Sequence, residues 1–428
     1  MGGRHGRPVR AGALYALRVA AGAVPVFPIL RRAMGQPTTH RPVWRLGRVI
    51  PCLLVVVFLA DLVSRVPSID PLTFRAWEAM SRNRPPGAAF EPNRRYVNAR
   101  AYGDLASFGN LPAMRQYRPE VFTTDALGFR NPPHVLGGEV SAILIGDSFA
   151  VGSGVSDDET LSSRLTKITG CVVYNAGSDL GRVVPKEVLA LARRLHLRNH
   201  LVMRLYAEDA AVPPMPTRRE RLLWDLEARM PARLRALIGR LRGLAAVGPL
   251  QVLSGRAVKA LEDDRILPNR YAGYVVRATL DNGDPMLFQA SEVNNFYRRR
   301  EVRLDYWQWL RDTLRPAGFD LLVVLVPSKY TVYRPFLVDQ RPGPGAGADY
   351  LDRLEQDLRA AGIPVLNLTP LISAEAARDL RHDRYLYWLD DIHWNARGIA
   401  LAAGAIRERW PLADAPCSTT LSRAVEKP

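Results

Sequence analysis

The feature that most constrains the fold is a series of short apolar segments alternating with amphipathic segments from about residue 140 onward. Short apolar runs bounded by turns are typical of strands buried on both faces. Segments with apolar residues every three or four positions are typical of helices packed on a sheet. The alternation predicts an α/β fold with a parallel sheet, and functional residues are expected at the carboxyl ends of its strands.

The expected elements can be placed along the chain. The predicted strands are Ser141–Ile145, Val172–Asn175, Leu201–Tyr206, Asp320–Val326 and Pro364–Leu368. The predicted helices are Thr160–Thr169, Lys186–Leu195, Arg303–Leu314, a segment around Ala374–Leu380, and Ile399–Arg409. Residues 210–300 interrupt the alternation, so they are predicted to form an insertion or lid, with an arginine-rich helix pair at 218–242.

The distribution of charge bears on the class of partner. The 428-residue chain has a formal net charge of +17, but its first 60 residues hold nine arginines and no Asp or Glu, and the remaining excess is dispersed. No lysine-rich tail or nucleic-acid module is present, which argues against a nucleic-acid partner. The three cysteines do not make a disulfide framework, and no Cys/His cluster has zinc spacing, so no metal is expected.

An apolar run at residues 49–60 follows the arginine-rich start. Extended from Leu46 to Val66, it reaches the roughly 20 residues that a membrane span needs. A buried core helix is the alternative. The preferred interpretation is a single uncleaved anchor, with the arginines retained in the cytoplasm and the rest of the chain exported.

These boundaries divide the chain into five predicted parts. They are a basic cytoplasmic arm at 1–45, a transmembrane anchor at 46–66, a membrane-proximal linker or subdomain at 67–135, the main domain at 136–412 with its insertion, and a tail at 413–428. In the linker, a helix-like piece is predicted at Leu72–Arg82 and a turn at Pro85–Gly87.

The first predicted strand runs directly into Gly146-Asp147-Ser148. A serine hydroxyl becomes a nucleophile when a neighbouring base takes its proton. Here the serine would lie at a strand end beside a helix N-terminus, where its own N–H can face a developing oxyanion. The alternative is that Ser148 is only the N-cap residue of that helix.

The base is predicted to be His393, in the segment Asp390-Asp391-Ile392-His393 after the last strand. Histidine suits the task because its pKa lies near neutrality, and a carboxylate would orient its ring. Either Asp390 or Asp391 could be that carboxylate. Asp379 and His382 have similar spacing, but they fall in a charged helical stretch where a solvated pair is expected.

Together these residues resemble the SGNH/GDSL superfamily of serine esterases and acyltransferases, whose first block is Gly-Asp-Ser and whose last is Asp-x-x-His or Asp-x-His. The likeness spans roughly 120 to 412. Segments resembling a membrane-anchored branch similar to alginate O-acetyltransferases are Phe122–Asn131, Val173–Gly177, Val326–Tyr333 and Asp391–Asn395. In those enzymes the Asp-His pair precedes the serine, whereas here it follows. The resemblance implies a flavodoxin-like three-layer α/β/α fold and ester chemistry.

The oxyanion hole is where the chain departs from that pattern. Many members carry an asparagine after the third strand, where this chain has Glu208 and Asp209. A carboxylate would repel an oxyanion, and the loss of one donor can cost about 3 kcal/mol. The expected donors are therefore the Ser148 N–H with Gly181 or, failing that, Gly177.

The sequence thus predicts a serine acyl esterase or O-acyltransferase that uses no cofactor. Its substrate would be an ester, such as acetyl groups on cell-envelope polysaccharide. The catalytic domain would lie in the periplasm, and the resemblance implies that a separate membrane-bound protein supplies the acyl group. The alternative is a catalytically weak or inactive envelope protein of the same fold that binds glycan or a partner.

Overall fold

The computed structural model describes residues 43–64, 88–178, 184–197, 201–212, 272–338 and 345–409, with isolated positions between 215 and 261 and at 343. The chain divides into two units, residues 1–58 and 59–428. The predicted cytoplasmic arm up to residue 42, the linker helix and turn, the tail and most of the arginine-rich helix pair lie outside the described residues.

Helix α1 (Val43–Ser64) covers most of the segment predicted to be an anchor. Among the described residues, however, no helix is both long and apolar enough to cross a membrane. The anchor predicted at 46–66 is therefore not found in the described part of the chain.

A five-stranded parallel sheet lies in the second unit. Its strands are β3 (Ala142–Ile145), β4 (Val173–Asn175), β5 (Leu201–Ala207), β8 (Asp320–Val326) and β9 (Val365–Asn367). They are ordered β4-β3-β5-β8-β9, and every neighbouring pair is parallel. This order is that of flavodoxin-like sheets, with the switch point between β3 and β5. The predicted α/β class and parallel sheet are confirmed, and the strand bounds differ from the predicted ones by one residue at most.

Helices cover both faces of this sheet. They are α4 (Leu161–Thr169), α5 (Pro185–Arg194), α7 (Asp305–Leu314), α9 (Tyr350–Ala360), α10 (Thr369–Leu380) and α11 (Ala396–Glu408). Side chains alternate along a strand, so β8 contributes to the cores on both faces of the sheet. Leu322 and Val324 pack with α4, α10 and α11 on one face. Leu321 and Val323 pack with α5, α7 and α9 on the other. The two cores make three layers.

Two antiparallel hairpins supplement the sheet. β1 (Arg95–Ala101) pairs with β2 (Arg118–Thr123), and a short helix, α2 (Asp104–Phe108), lies between them. β6 (Val275–Thr279) pairs with β7 (Pro285–Gln289) and is followed by α6 (Ala290–Tyr297). The second hairpin belongs to the predicted insertion, yet Met286 and Phe288 are buried in the main core. The end of the insertion is thus part of the folded domain.

Candidate active site

The turn after β3 places Ser148 at the carboxyl edge of the sheet. Gly146 allows this turn to pack closely against Ala150 and β5, since a Cβ at this position would lie 2.6 Å from the Ala150 Cβ and 3.1 Å from the Leu205 carbonyl oxygen. Helix α3 (Ser148–Val151) begins at once, and its N-cap is Asp147, whose carboxylate accepts from the Phe149 N–H. The interpretation of Ser148 as the N-cap is therefore wrong, and its hydroxyl is available for chemistry.

Three side chains form a continuous hydrogen-bonded line. The Ser148 Oγ lies 2.7 Å from the His393 Nε2, and the His393 Nδ1 lies 2.7 Å from the Asp391 Oδ1. His393 and Asp391 are buried, whereas Ser148 is partly exposed. The Phe149 ring packs against the imidazole with centroids 4.8 Å apart. A serine, a base and an orienting carboxylate in this order are the parts of a nucleophilic triad.

The two adjacent aspartates have different environments, which separates their roles. Asp391 contacts His393, while Asp390 accepts from the Gly103 N–H at 2.7 Å and the Gln116 N–H at 2.9 Å. The Asp390 carboxylate is thus enclosed by the chain before β2. The geometry thus favours Asp391 as the orienting carboxylate and gives Asp390 a structural place beside it.

Arg118, on β2, connects both aspartates. Its guanidinium donates to the Asp390 Oδ1 and the Asp391 Oδ2 at 3.0 Å each, and to the Gly154 carbonyl. The Trp388 ring covers it at 4.2 Å. Burial opposes the charge of Asp391, but His393 and Arg118 outweigh burial and hold the pKa of that carboxyl well below its usual range. Asp391 therefore stays ionised beside the ring.

Arg130 holds the chain that follows the serine. It is buried, and it donates to the carbonyls of Val151, Gly152 and Val155, while its Nε donates to Asp157. Asn131, the next residue, bridges Asp125 to the main chain of Asn175 on β4. The segment 122–131, part of the resemblance noted from the sequence, thus fastens α3 and β4 together.

The predicted oxyanion donors differ in their availability. The Ser148 N–H has no hydrogen-bond acceptor among the described residues, as an oxyanion donor requires. The Gly177 N–H instead donates to the Asn175 Oδ1 at 2.9 Å, and a Cβ on this glycine would meet the Val151 nitrogen at 2.6 Å. Gly177 is thus needed for packing and its N–H is engaged. Gly181 lies outside the described residues.

Glu208, the residue in the expected asparagine position, turns away into a polar network. Its Oε2 accepts from the Ser328 N–H at 2.8 Å, and Arg300 contacts its Oε1 at 3.3 Å and its carbonyl oxygen. Burial, with Asp209 beside it, raises the pKa of Glu208 to about 7. The side chain holds the start of helix α8 (Lys329–Tyr333) and is not presented as an oxyanion partner.

The other candidate pair does not assemble. The His382 Nδ1 lies 3.1 Å from the Arg378 carbonyl on an exposed helix end, and the Asp379 carboxylate binds Arg397 and Arg384. The described residues with possible metal-ligand atoms within 4.8 Å of one another are Asp104, Asp391 and His393. Because Arg118 already neutralises Asp391 and His393 bonds Ser148, this group does not favour a cation.

The sequence did not predict the contacts that three residues make around the triad, namely Arg118, Asp104 and Lys329. The Asp104 N–H reaches the Asp391 Oδ2 at 3.3 Å, and Lys329 is completely buried behind the loop that carries the histidine. A lysine three residues after a strongly apolar strand is a signal that could have drawn attention to Lys329. Nothing local marks Arg118, because the two aspartates it binds are more than 270 residues away in the chain.

Comparison with known proteins finds a family model that matches part of the chain. Residues 287–423 match the family model described as the SGNH hydrolase-like domain of the acetyltransferase AlgX, which confirms the predicted resemblance over those residues. The match contains Asp391 and His393, whereas Ser148 lies before it. No curated protein matches the chain. A solved crystal structure aligns with 63% of this chain and with 95% of its own chain, at 14% identity. The TM-score of 0.29 is too low for any conclusion to be drawn from this alignment.

Proposed function

We propose that this protein is a serine acyl esterase or O-acyltransferase whose catalytic residues are Ser148, His393 and Asp391. The single observation that carries the proposal is the line of two 2.7 Å hydrogen bonds from the Ser148 Oγ through the His393 ring to the Asp391 carboxylate. The family match over residues 287–423 supports acyl-group chemistry of the esterase or acetyltransferase kind.

The reaction would proceed in two halves. In the first, the Ser148 Oγ attacks the acyl carbonyl as its proton passes to the His393 Nε2, and the oxyanion forms near the Ser148 N–H. Collapse of this intermediate expels the alcohol, which takes the proton from His393. In the second half, an acceptor hydroxyl gives its proton to His393 and attacks the acyl-serine. Collapse releases the new ester, or the free acid when the acceptor is water, and His393 returns the proton to the Ser148 Oγ. Asp391 stays ionised and stabilises the imidazolium.

The acceptor decides between the two activities. Water as acceptor makes the protein an esterase, and a sugar hydroxyl makes it a transferase. We propose acetyl groups on a cell-envelope polysaccharide as the substrate, on the strength of the acetyltransferase family match. A separate membrane-bound protein would serve as acyl donor. Incubating the protein with an activated acetyl ester, with and without oligosaccharide, measures hydrolysis against acetyl transfer.

An extracytoplasmic location is part of the proposal. Cys171 is disulfide-bonded, and disulfides persist in oxidising compartments such as the periplasm. The location is tested by thiol alkylation of protein taken directly from its host under non-reducing conditions. Alkylation of Cys171 without prior reduction would contradict it.

The activity is tested with a fluorophosphonate probe on the full-length protein, read by mass spectrometry. We expect the label on Ser148, no label in Ser148→Ala, and labelling slowed by at least about 10³-fold in His393→Ala because the hydroxyl then lacks its base. His382→Ala is the matched control and should label at the original rate. A folded protein that takes no label would contradict catalysis.

The absence of label would favour the alternative, a glycan-binding protein of the same fold. Two observations support that alternative: Glu208 occupies the place of the asparagine donor, and the Gly177 N–H is engaged elsewhere. Binding of oligosaccharide by the unlabelled protein, measured calorimetrically, would establish it.

A further inference from the structure

Lys329 is a buried cation that the proposed reaction does not use. It is the first residue of α8, directly behind the carboxyl end of β8, and its side chain is fully buried. Lysine is seldom buried without a carboxylate partner. Yet in the described part of the chain its ammonium forms no salt bridge and instead donates only to main-chain carbonyl oxygens.

Four carbonyls surround the ammonium. They belong to Leu287 at 2.7 Å, Trp388 at 2.6 Å, Leu389 at 3.1 Å and Asp391 at 2.9 Å. An ammonium has three N–H donors, so these four oxygens use its full capacity. Carbonyl dipoles aimed at a charge favour the protonated form, which opposes the cost of burying it.

Three of the four carbonyls come from the chain that carries the Asp391–His393 pair. The remaining carbonyl of that stretch, on Asp390, accepts from the Leu105 and Ala106 N–H groups at the start of α2. The loop is closed by the Trp388 N–H, which donates to the His393 carbonyl at 3.2 Å. Every main-chain carbonyl from 388 to 391 is therefore held, three of them by one lysine.

The charges facing Lys329 come from each element packed on it. Glu292 on α6 and the two loop carboxylates, Asp390 and Asp391, favour its charge, and Arg118 on β2 opposes it. The Phe288 ring of β7 lies 5.4 Å from its nitrogen. Burial outweighs the favourable contacts and lowers the pKa of Lys329 to about 7.

We infer that Lys329 is a positioning residue that fixes Asp391 and His393 in line with Ser148 through the backbone carbonyls of residues 388–391. The inference rests on the proposed function, because it concerns the rate of acyl transfer at the same site. It assigns no bond-making role to Lys329. The neutral amine would lose one donor and turn a lone pair toward a carbonyl, so the positioned state requires the ammonium.

The first test is Lys329→Met in the full chain, which keeps the length of the side chain and removes its charge. Lys167→Met, on the exposed face of α4, is the matched control. For an activated acyl ester we expect kcat to fall roughly 100-fold with KM nearly unchanged, since a displacement of about 1 Å in a catalytic group has that effect. The control should keep its full kcat. A folded Lys329→Met with unchanged kcat would overturn the inference.

The second test uses the unaltered protein, so it does not depend on the folding of a variant. The chain has five lysines, and ¹⁵N-lysine labelling allows the Lys329 ammonium to be followed by NMR as the pH rises. Because the charged form is lost as pH rises through the Lys329 pKa, kcat should fall over the same interval. A kcat that stays constant while the ammonium signal disappears would overturn the inference.

The two proposals can fail separately. If the unaltered protein neither labels at Ser148 nor turns over ester, the proposed function fails. The NMR resonance of the proton on the His393 Nδ1 then still tests whether Lys329 positions the histidine. Lys329→Met should shift or broaden this resonance, and Lys167→Met should not. An unshifted resonance in Lys329→Met would refute positioning whatever the activity.

Discussion

At the scale of single residues, the site depends on the difference between two adjacent aspartates. Both are buried and both contact Arg118, but only Asp391 reaches the histidine ring. The Asp390 carboxylate instead accepts from the main chain at Gly103 and Gln116. Gly103 is required there, since a Cβ would lie 2.1 Å from the Asp390 carbonyl oxygen.

We therefore expect opposite effects from two isosteric substitutions. Asp391→Asn should lower kcat on an activated ester by about 10³- to 10⁴-fold, because an amide does not stabilise the imidazolium and favours the wrong tautomer. Asp390→Asn should keep most of the kcat and lose about 3 kcal/mol of unfolding free energy, because it leaves part of the buried Arg118 charge unpaired. Ester kinetics and urea denaturation measure both. The reverse pattern would show that Asp390 is the orienting carboxylate.

The sequence could not make this distinction. The spacing Asp-x-x-His and the spacing Asp-x-His both occur at 390–393, and the direction of each carboxylate depends on a turn closed by distant partners. Arg118 and the Gly103 N–H, which settle the direction, lie in a stretch that composition alone describes as a linker. Contacts of such long separation leave no local pattern.

At the scale of secondary structure, the strand, turn and helix at 142–151 present the nucleophile. The strand was predictable because four apolar residues in succession are typical of a fully buried parallel strand, and the structure bounds it at Ala142–Ile145. The short helix after it was expected too, but its N-cap is Asp147. The hairpin formed by β6 and β7 was not predicted, because its residues read as part of an irregular insertion.

Two glycine substitutions test this element. Gly146→Ala should lower the unfolding free energy by about 1–3 kcal/mol and slow Ser148 labelling, since the added methyl overlaps Ala150 and approaches Leu205. Gly404→Ala is the matched control, because no atom lies within 4 Å of a Cβ there and the position is inside α11. It should gain up to about 1 kcal/mol from helix propensity. Thermal unfolding and probe kinetics distinguish the two, and an unperturbed Gly146→Ala would refute the close approach.

At the scale of the whole domain, buried ionisable groups are concentrated at the carboxyl edge of the sheet. Burial raises the pKa values of Asp147, Glu208, Asp209 and Glu292, whereas burial lowers that of Lys329. Asp391 is the exception, since its partners outweigh burial. These groups affect stability over different pH intervals. The pKa of Asp391 is lowered, so its contribution is present above the ordinary aspartate pKa of 3.8 and is lost as the pH falls below it. The pKa of Lys329 is lowered from 10.5 to about 7, so its unfavourable contribution to folding diminishes as the pH rises between these values.

Glu208 affects the unfolding free energy between pH 4.5 and about 7. Its folded pKa is about 7, above its ordinary value of 4.5, so the folded state binds the proton more tightly than the unfolded state. The stability it provides is fully present below pH 4.5 and is lost as the pH rises through 7. A shift of this size corresponds to about 3 kcal/mol.

Glu208→Gln imitates the protonated side chain, so it should match the unaltered protein near pH 5 and be more stable by up to about 3 kcal/mol near pH 8. Asp209 lies beside Glu208 and its charge couples to it, so the difference between the two unfolding free energies reports Glu208 together with this coupling. Glu408→Gln, at an exposed position on α11, is the control and should run parallel to the unaltered protein at every pH. Parallel curves for Glu208→Gln as well would mean that Glu208 keeps its charge in the fold, because Arg300 and the Ser328 N–H then compensate fully for its burial.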